Sequence, residues 1–410
     1  VAPTAIIEPR TAPGEKLTAT PGGHLRLPVL DGVRGLAILM VIACHATMLP
    51  KESLRLLHAI GHWGTTGVDG FFVLSGFLIT GILYEAKGAR NYFRNFYARR
   101  ILRIFPLYYA CVIFGLLVFP YFTPAMKDWL GGMHAGNTTW TYWVYLANFS
   151  IGNNYGKVFG YLDSTWSLAI EEQFYFVWPL LVLLLSRKQL MGLCLALIAT
   201  ALLTRTILVW HGVNWFIVFT NTFCRMDCLA AGSFVALAAR GPGGIRALRK
   251  WAIALFIIGA IGIVEIIHLD HWNVGLYSGL ALILGYGLIA VFYASGITLL
   301  LNASPRSWAH RLFAGPVLSM FGRYSYAMYL LHGPVLRRVA RLFCDNNEII
   351  KPIAGSYLLP QILLFVLAVL GSLGVALVSW YGLESHCLSL KRYFRDEVRA
   401  APSSAAPALS

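Results

Sequence analysis

Apolar runs long enough to cross a bilayer dominate this chain and leave few folds open to it. They fall near residues 30–49, 67–84, 101–121, 165–186, 190–210, 216–239, 251–268, 275–301, 316–336 and 358–382. A helix of about 20 apolar residues covers the hydrocarbon core, so the pattern predicts about ten transmembrane helices. With 58% hydrophobic and 12% charged residues over 410 positions, a soluble fold would leave too much apolar surface in water. The sequence therefore predicts an all-α membrane bundle over residues 28–385. A Pro/Thr/Gly-containing tail (1–27) and a basic, then Ala/Pro/Ser-rich tail (386–410) flank it. No cleavable signal peptide, internal repeat or second globular domain is apparent. The aromatic stretch Trp140–Phe149 is too short to span and reads as re-entrant or interfacial.

A net charge of +15 raises nucleic acid as a partner, but the basic residues do not form one soluble face. They sit in short segments between apolar runs. With about ten spans both termini share a side. That side collects Arg10 to Arg34, Lys87 to Arg103, Arg187 and Lys188, Arg240 to Lys250, Arg306 and Arg311, and Lys391 to Arg399. The opposite side keeps Lys51, Arg55, Lys127, Lys157, Lys351 and the Arg337/Arg338/Arg341 cluster. The asymmetry predicts cytoplasmic termini, and no nucleic-acid partner is expected. The one large outer segment, 122–164, holds Trp129, His134, Trp140, Trp143, Asn153 and Asn154, groups that suit sugar contacts or an interfacial belt. The seven cysteines are scattered, and Cys224 and Cys228 read as core packing rather than a zinc site.

Four polar constellations interrupt the apolar runs. In the first, Arg34 and His45 lie eleven residues apart, three helical turns, on one face and ~16 Å apart along the axis. The charge asymmetry sets Arg34 at the cytoplasmic mouth and His45 toward the outer half. Intramembrane ionisable groups are costly and mark functional sites, and a buried neutral imidazole is a general base. In the second, Arg100 and Arg103 share a face at i,i+3, as a phosphate-binding pair or a positive-inside anchor. In the third, Glu171 and Glu172 sit near the start of a span, about 100° apart on a helix, so at most one faces a site shared with His45. In the fourth, Ser325, Tyr329 and His332 fall on one face as a polar lining or as interhelical hydrogen bonds. Beside these stand the Gly67–Gly76 segment with Asp69 and Ser75, whose glycines allow close backbone approach, and Arg225 and Asp227. The last two are too near in sequence to face each other and are expected to pair elsewhere.

Taken together and in this order, the segments resemble the acyltransferase-3 family of integral-membrane acyltransferases. The resemblance runs from about residue 26 to 395. It is carried by Leu30-Asp-Gly-Xaa-Arg34 with His45, Gly-Phe-Phe-Val-Leu-Ser-Gly-Phe-Leu-Ile (70–79), Arg-Arg-Xaa-Xaa-Arg-Ile (99–104), Trp-Ser-Leu-Ala-Ile-Glu-Glu-Gln-Phe-Tyr (166–175) and Tyr-Ser-Tyr…Tyr-Leu-Xaa-His (324–332). One departure is visible: after the last span the family often reads Glu-Xaa-Pro, whereas this chain reads Glu384-Ser-His386. The resemblance implies a multi-pass protein of the bacterial cytoplasmic membrane with no permanently bound cofactor or metal. It implies an acyl group, usually acetyl, taken from cytoplasmic acyl-CoA as co-substrate to a hydroxyl. Acceptors in the family include lipopolysaccharide O-antigen, capsule, exopolysaccharide, peptidoglycan and some antibiotics.

On this resemblance Arg34, Arg100 and Arg103 would hold the donor's phosphates. The pantetheine arm would run along the Arg34–His45 face, whose ~16 Å length is comparable to it. His45 would act as general base or accept the acyl group itself, with Glu171 or Glu172 orienting it or relaying the proton. Asp69, Ser75, Trp166, Ser167, Tyr329 and His332 are expected to line the substrate site, with Ser75 or another hydroxyl steadying the oxyanion. The acceptor is expected to be a surface glycan or glycolipid, handled by the membrane domain alone. The alternatives are a small-molecule or antibiotic acceptor, a transporter or flippase for an anionic substrate, and an inactive scaffold. A transporter predicts inverted repeats, which the sequence does not display, and a scaffold leaves the Arg34/His45 register unexplained.

Overall fold

Residues 27–49, 55–118, 138–153, 162–269, 278–344 and 349–394 are described by the computed structural model. The N-terminal tail apart from Leu27, the end of the C-terminal tail, and the part of the outer segment holding Trp129 and His134 lie outside them. The long helices are α1 (Pro28–Ala46), α2 (Arg55–Trp63), α3 (Gly67–Glu85), α4 (Tyr92–Ile113), α5 (Thr165–Leu184), α6 (Arg187–Trp210), α7 (Thr222–Ala238), α8 (Arg249–Leu269), α9 (Tyr286–Asn302), α10 (Pro316–Ala340) and α11 (Leu358–Ser379). Among the described residues, extended pairing is limited to two isolated bridges, Cys344 with Ile350 and Ile353 with Ser356. The chain is an all-α, multi-pass membrane protein.

Among the described residues, eight helical runs are long and apolar enough to cross a membrane. The two other predicted runs are also helical but differ in make-up. Asn221 breaks the 216–239 run by capping α7, its side chain accepting from the Phe223 N–H at 2.9 Å. That leaves a 17-residue helix behind the short Trp215–Thr220 turn. The 316–336 run belongs to α10, a 25-residue helix diluted by Arg323, His332, Pro334, Arg337 and Arg338. The predicted interfacial stretch folds as two short helices, Trp140–Trp143 and Ala147–Asn153, tied by a 2.8 Å contact between Thr141 and Ser150 hydroxyls.

Two seams of small residues set the helix arrangement. A Cβ on Gly35 would lie 2.0 Å from the Leu318 carbonyl oxygen, and one on Gly322 1.8 Å from that of Asp31. The backbones of α1 and α10 are therefore in direct contact, the approach that small residues permit in membranes. The second seam joins α3 and α7, where a Cβ on Gly76 or on Gly232 would meet the Leu229 or Val73 carbonyl oxygen at 2.0 Å. Pro28 at the first position of α1 and Asp31 in its first turn suit a helix start.

Deep in the bundle, the Arg225 guanidinium meets the Asp69 carboxylate at 2.7 Å, and Arg205 meets Asp227 at 2.6 Å. All four side chains are 0–1% exposed. Arg225 and Asp227 thus pair elsewhere, as their spacing requires. Four aromatic rings surround Arg225: Tyr286 with its centroid at 4.1 Å, Phe219 at 5.0 Å, and Phe72 and Trp166 each at 5.8 Å. Ring faces attract the cation where Nε and Nη1 meet no acceptor. Cys224 and Cys228 are fully buried as packing groups, and Cys228 Sγ donates to Asp69 at 3.2 Å.

Two outcomes are expected from this packing. Gly322→Val drives a side chain into backbone and should cost about 2 kcal/mol or more, read as a lower thermal midpoint in detergent. Gly333→Ala on the same helix, where a Cβ meets nothing within 4 Å, should leave the midpoint level or raised. Asp69→Leu strands a buried guanidinium and should cost about 3–5 kcal/mol, with Asp69→Leu plus Arg225→Met recovering most of it.

Candidate active site

A single cavity collects side chains from α1, α3, α4, α5 and α10. Its walls include Arg34, Phe71, Ser75, Arg100, Arg103, Ser167, Glu171, Tyr175, Tyr326 and Tyr329. Seven of the residues predicted from sequence therefore share one space, although they come from five helices.

The arginines are unequal. Arg34 donates to Asp31 at 3.0 Å, one turn back on α1. Arg100 and Arg103 have no carboxylate partner among the described residues. The Arg100 guanidinium instead lies over the Tyr175 ring at 5.6 Å and the Phe96 ring at 5.9 Å. Three cations thus face the cavity with Glu171 as the one acid in its lining. Half-buried guanidiniums that outnumber the acid in the lining suit an anionic group with several oxygens, because each fork offers paired donors.

Glu171 is held rather than free. It accepts from Ser75 at 2.7 Å and from Tyr175 at 3.0 Å, and Tyr175 also donates to Ser75 at 2.9 Å. Its neighbour Glu172 lies outside the cavity lining, and its Oε1 is buried with no hydrogen-bond partner among the described residues. In the same cavity wall Tyr329 and Ser167 bring their hydroxyls to 2.6 Å, joining α10 to α5. The Tyr329 ring also meets Phe71 edge-on, with centroids 6.1 Å apart.

Beyond Tyr329 lies a histidine pair. His332 Nε2 is 3.3 Å from His45 Nδ1, with ring centroids 5.0 Å apart and planes tilted by 46°. His332 Nδ1 is 2.7 Å from the Tyr329 carbonyl oxygen, and His45 Nδ1 is 2.9 Å from that of Val41. His332 is 3% exposed, whereas His45 keeps accessible surface. Gln361 of α11 braces this end of α1, donating to the Ala46 carbonyl at 2.8 Å and accepting from the Met48 N–H at 3.2 Å.

Five predicted residues sit apart from the cavity lining: Glu172, the His45–His332 pair, Asp69 and Trp166. Asp69 is committed to Arg225, and Trp166, 6% exposed, belongs to the aromatic ring set around that arginine. Glu171 bonds to Ser75 and Tyr175, while the ring bonded to His45 is that of His332. Ser325 and Tyr329 prove to be both cavity lining and hydrogen-bonding groups, Ser325 bonding within its own helix to the Gly322 carbonyl at 2.9 Å. Glu384, the point of departure from the usual family pattern, is 7% exposed and accepts from Ser379 at 2.8 Å. Sequence reasoning missed Asp31, Tyr175 and Gln361. The first two carried a signal, at i,i+3 from Arg34 and i,i+4 from Glu171. Gln361 carried none.

A family model described as an acyltransferase domain matches residues 27–381. Among similar curated proteins, the peptidoglycan O-acetyltransferase OatA of Listeria monocytogenes is 30% identical over 326 residues, covering 76% of this chain and 49% of the relative. The putative peptidoglycan O-acetyltransferase YrhL of Bacillus subtilis is 28% identical over 362 residues, covering 84% and 53%. A putative O-acetyltransferase of Staphylococcus aureus is 30% identical over 351 residues, covering 78% and 52%. The chain spans about half the length of these relatives. No solved structure matches it. The motifs of the cavity and the match across nearly all of the bundle agree, and the chain belongs to the acyltransferase-3 family of membrane acyltransferases.

Proposed function

We propose that this protein is a membrane O-acetyltransferase that takes acetyl from cytoplasmic acetyl-CoA and passes it to a hydroxyl of a cell-surface glycan or glycolipid. The observation that carries this reading is the convergence of Arg34, Arg100 and Arg103, the last two with no salt-bridged carboxylate among the described residues, on a cavity whose Tyr329 wall adjoins His332 of the His45–His332 pair. The charge asymmetry of the loops supports an arginine end toward the cytoplasm and a histidine end toward the outer half. The nucleotide phosphates would sit among the guanidiniums, and the pantetheine arm would follow α1 past Ser75 and Tyr329 to His45. The names of the relatives support acetyl as the group moved and peptidoglycan, or a glycan like it, as the acceptor.

In the reaction, the His45 imidazole removes the proton of the acceptor hydroxyl as its oxygen attacks the thioester carbonyl. The C–S bond then breaks, and the departing thiolate recovers a proton from the imidazolium. Glu171 acts in the cavity wall, fixing Ser75 and Tyr175 beside the donor's path, while His332 holds the place next to His45. Two expectations test the scheme with protein purified in detergent and radiolabelled acetyl donor. His45→Ala should cut transfer by about 100-fold or more while the protein stays folded and inserted. Arg100→Ala with Arg103→Ala should raise KM for acetyl-CoA by about tenfold or more but leave turnover of acetyl-pantetheine, which lacks the nucleotide phosphates, unchanged. Equal damage with both donors would overturn the phosphate assignment, and near-full transfer by His45→Ala would overturn the base.

A further inference from the structure

We infer that His332 is a positioning residue that fixes the tautomer of His45, keeping the proton on Nδ1 and the lone pair on Nε2. The tautomer follows from hydrogen-bond geometry, while its catalytic consequence rests on the reading of His45 as base.

A carbonyl oxygen can only accept. His45 Nδ1, 2.9 Å from the Val41 carbonyl, therefore carries the proton. By the same reasoning His332 Nδ1, 2.7 Å from the Tyr329 carbonyl, carries its own, and the neutral His332 ring has its lone pair on Nε2. That lone pair faces His45 Nδ1 at 3.3 Å. The His45 N–H is thus shared between two acceptors, one on its own helix and one on α10. Moving the proton to Nε2 would set the Nδ1 lone pair against an oxygen and a second nitrogen lone pair, with no hydrogen between them. The second acceptor is what makes the preference strong, because a mobile imidazole could leave the Val41 carbonyl but is met on its other side by a ring locked to Tyr329.

The surroundings hold both rings still. The Gly35–Gly322 contact sets the depth of α10 against α1, Gln361 clamps residues 46 and 48, and the Tyr329–Ser167 bond anchors the turn that orients His332. His332 itself has neither nitrogen to spare for a substrate, since one donates to a carbonyl and the other accepts from His45. As His45 takes up charge, its Nδ1–H becomes a stronger donor, so the bond to His332 is stronger in the transition state than in the resting enzyme.

Three variants of the full chain test this. In His332→Gln the amide oxygen reaches the place of Nε2 and can accept. In His332→Asn the amide reaches only the place of Nδ1. His332→Phe fills the space with no acceptor. The glutamine variant should keep turnover of acetyl-CoA within about tenfold of the parent, while the asparagine and phenylalanine variants lose about 100-fold in kcat with KM for acetyl-CoA unchanged. Nitrogen-15 NMR of histidine-labelled protein, with His45 assigned by its loss in His45→Gln, should show the Nδ1–H form in the parent and in His332→Gln and a tautomer mixture in His332→Phe. An Nε2–H form in the parent, parental kcat in His332→Phe, or a rise in KM alone would overturn the proposal. So would equal losses in all three variants with the tautomer unchanged, which would mark His332 as packing only. If the parent transfers nothing from any acyl-CoA, the proposed function fails, and the NMR pattern still decides the tautomer.

Discussion

Direct backbone contact between α1 and α10 is the constraint on which the rest of the site depends. Arg34 and His45 ride on one of these helices, Tyr329 and His332 on the other. Side chains on two helices at an ordinary separation of about 8–10 Å would leave a packing layer between them. Glycine at positions 35 and 322 removes that layer, so rings from the two helices meet at hydrogen-bond distance. In a bilayer, lipid chains are as apolar as leucine, and close van der Waals packing with interhelical hydrogen bonds must supply the association. Both are present here, and the interhelical bonds include the Tyr329–Ser167 and His332–His45 contacts of the candidate site.

Charge is divided between two uses. Arg205 and Arg225 are sealed against Asp227 and Asp69, out of contact with any solvent, and tie α6, α7 and α3 together. Among the described residues Arg100 and Arg103 lack such ion pairs, and they line a cavity. Charge in a low-dielectric interior is expensive, so cations that border a cavity without a salt-bridged carboxylate among the described residues are where an entering anion would be best accommodated. The contrast within one bundle separates the cavity-lining arginines from the ion-paired ones more sharply than exposure alone.

Much of this was legible in the chain. Span limits such as 165–186 and 251–268 fall within a few residues of Thr165–Leu184 and Arg249–Leu269, because long apolar periodicity is a strong signal. The pairing of Arg225 and Asp227 with outside partners followed from two-residue spacing on a helix. The family motifs named nearly every cavity residue. What the sequence could not convey was adjacency between distant helices. Asp69 and Trp166 look like substrate groups until Arg225 is seen between them, and nothing local to His332 shows that it meets His45, 287 positions away. The helix break at Asn221 was also missed, since a single capping amide hardly alters an apolar average.

The central claim is that one continuous path joins the arginine cavity to His45. A structure of the protein bound to a non-hydrolysable acetyl-CoA analogue in lipid nanodiscs tests it most directly. The account predicts the nucleotide phosphates on Arg100 and Arg103 and the acetyl carbonyl within reach of His45 Nε2. An analogue seated with its phosphates away from those arginines, or with its acetyl end away from the histidine pair, would contradict it.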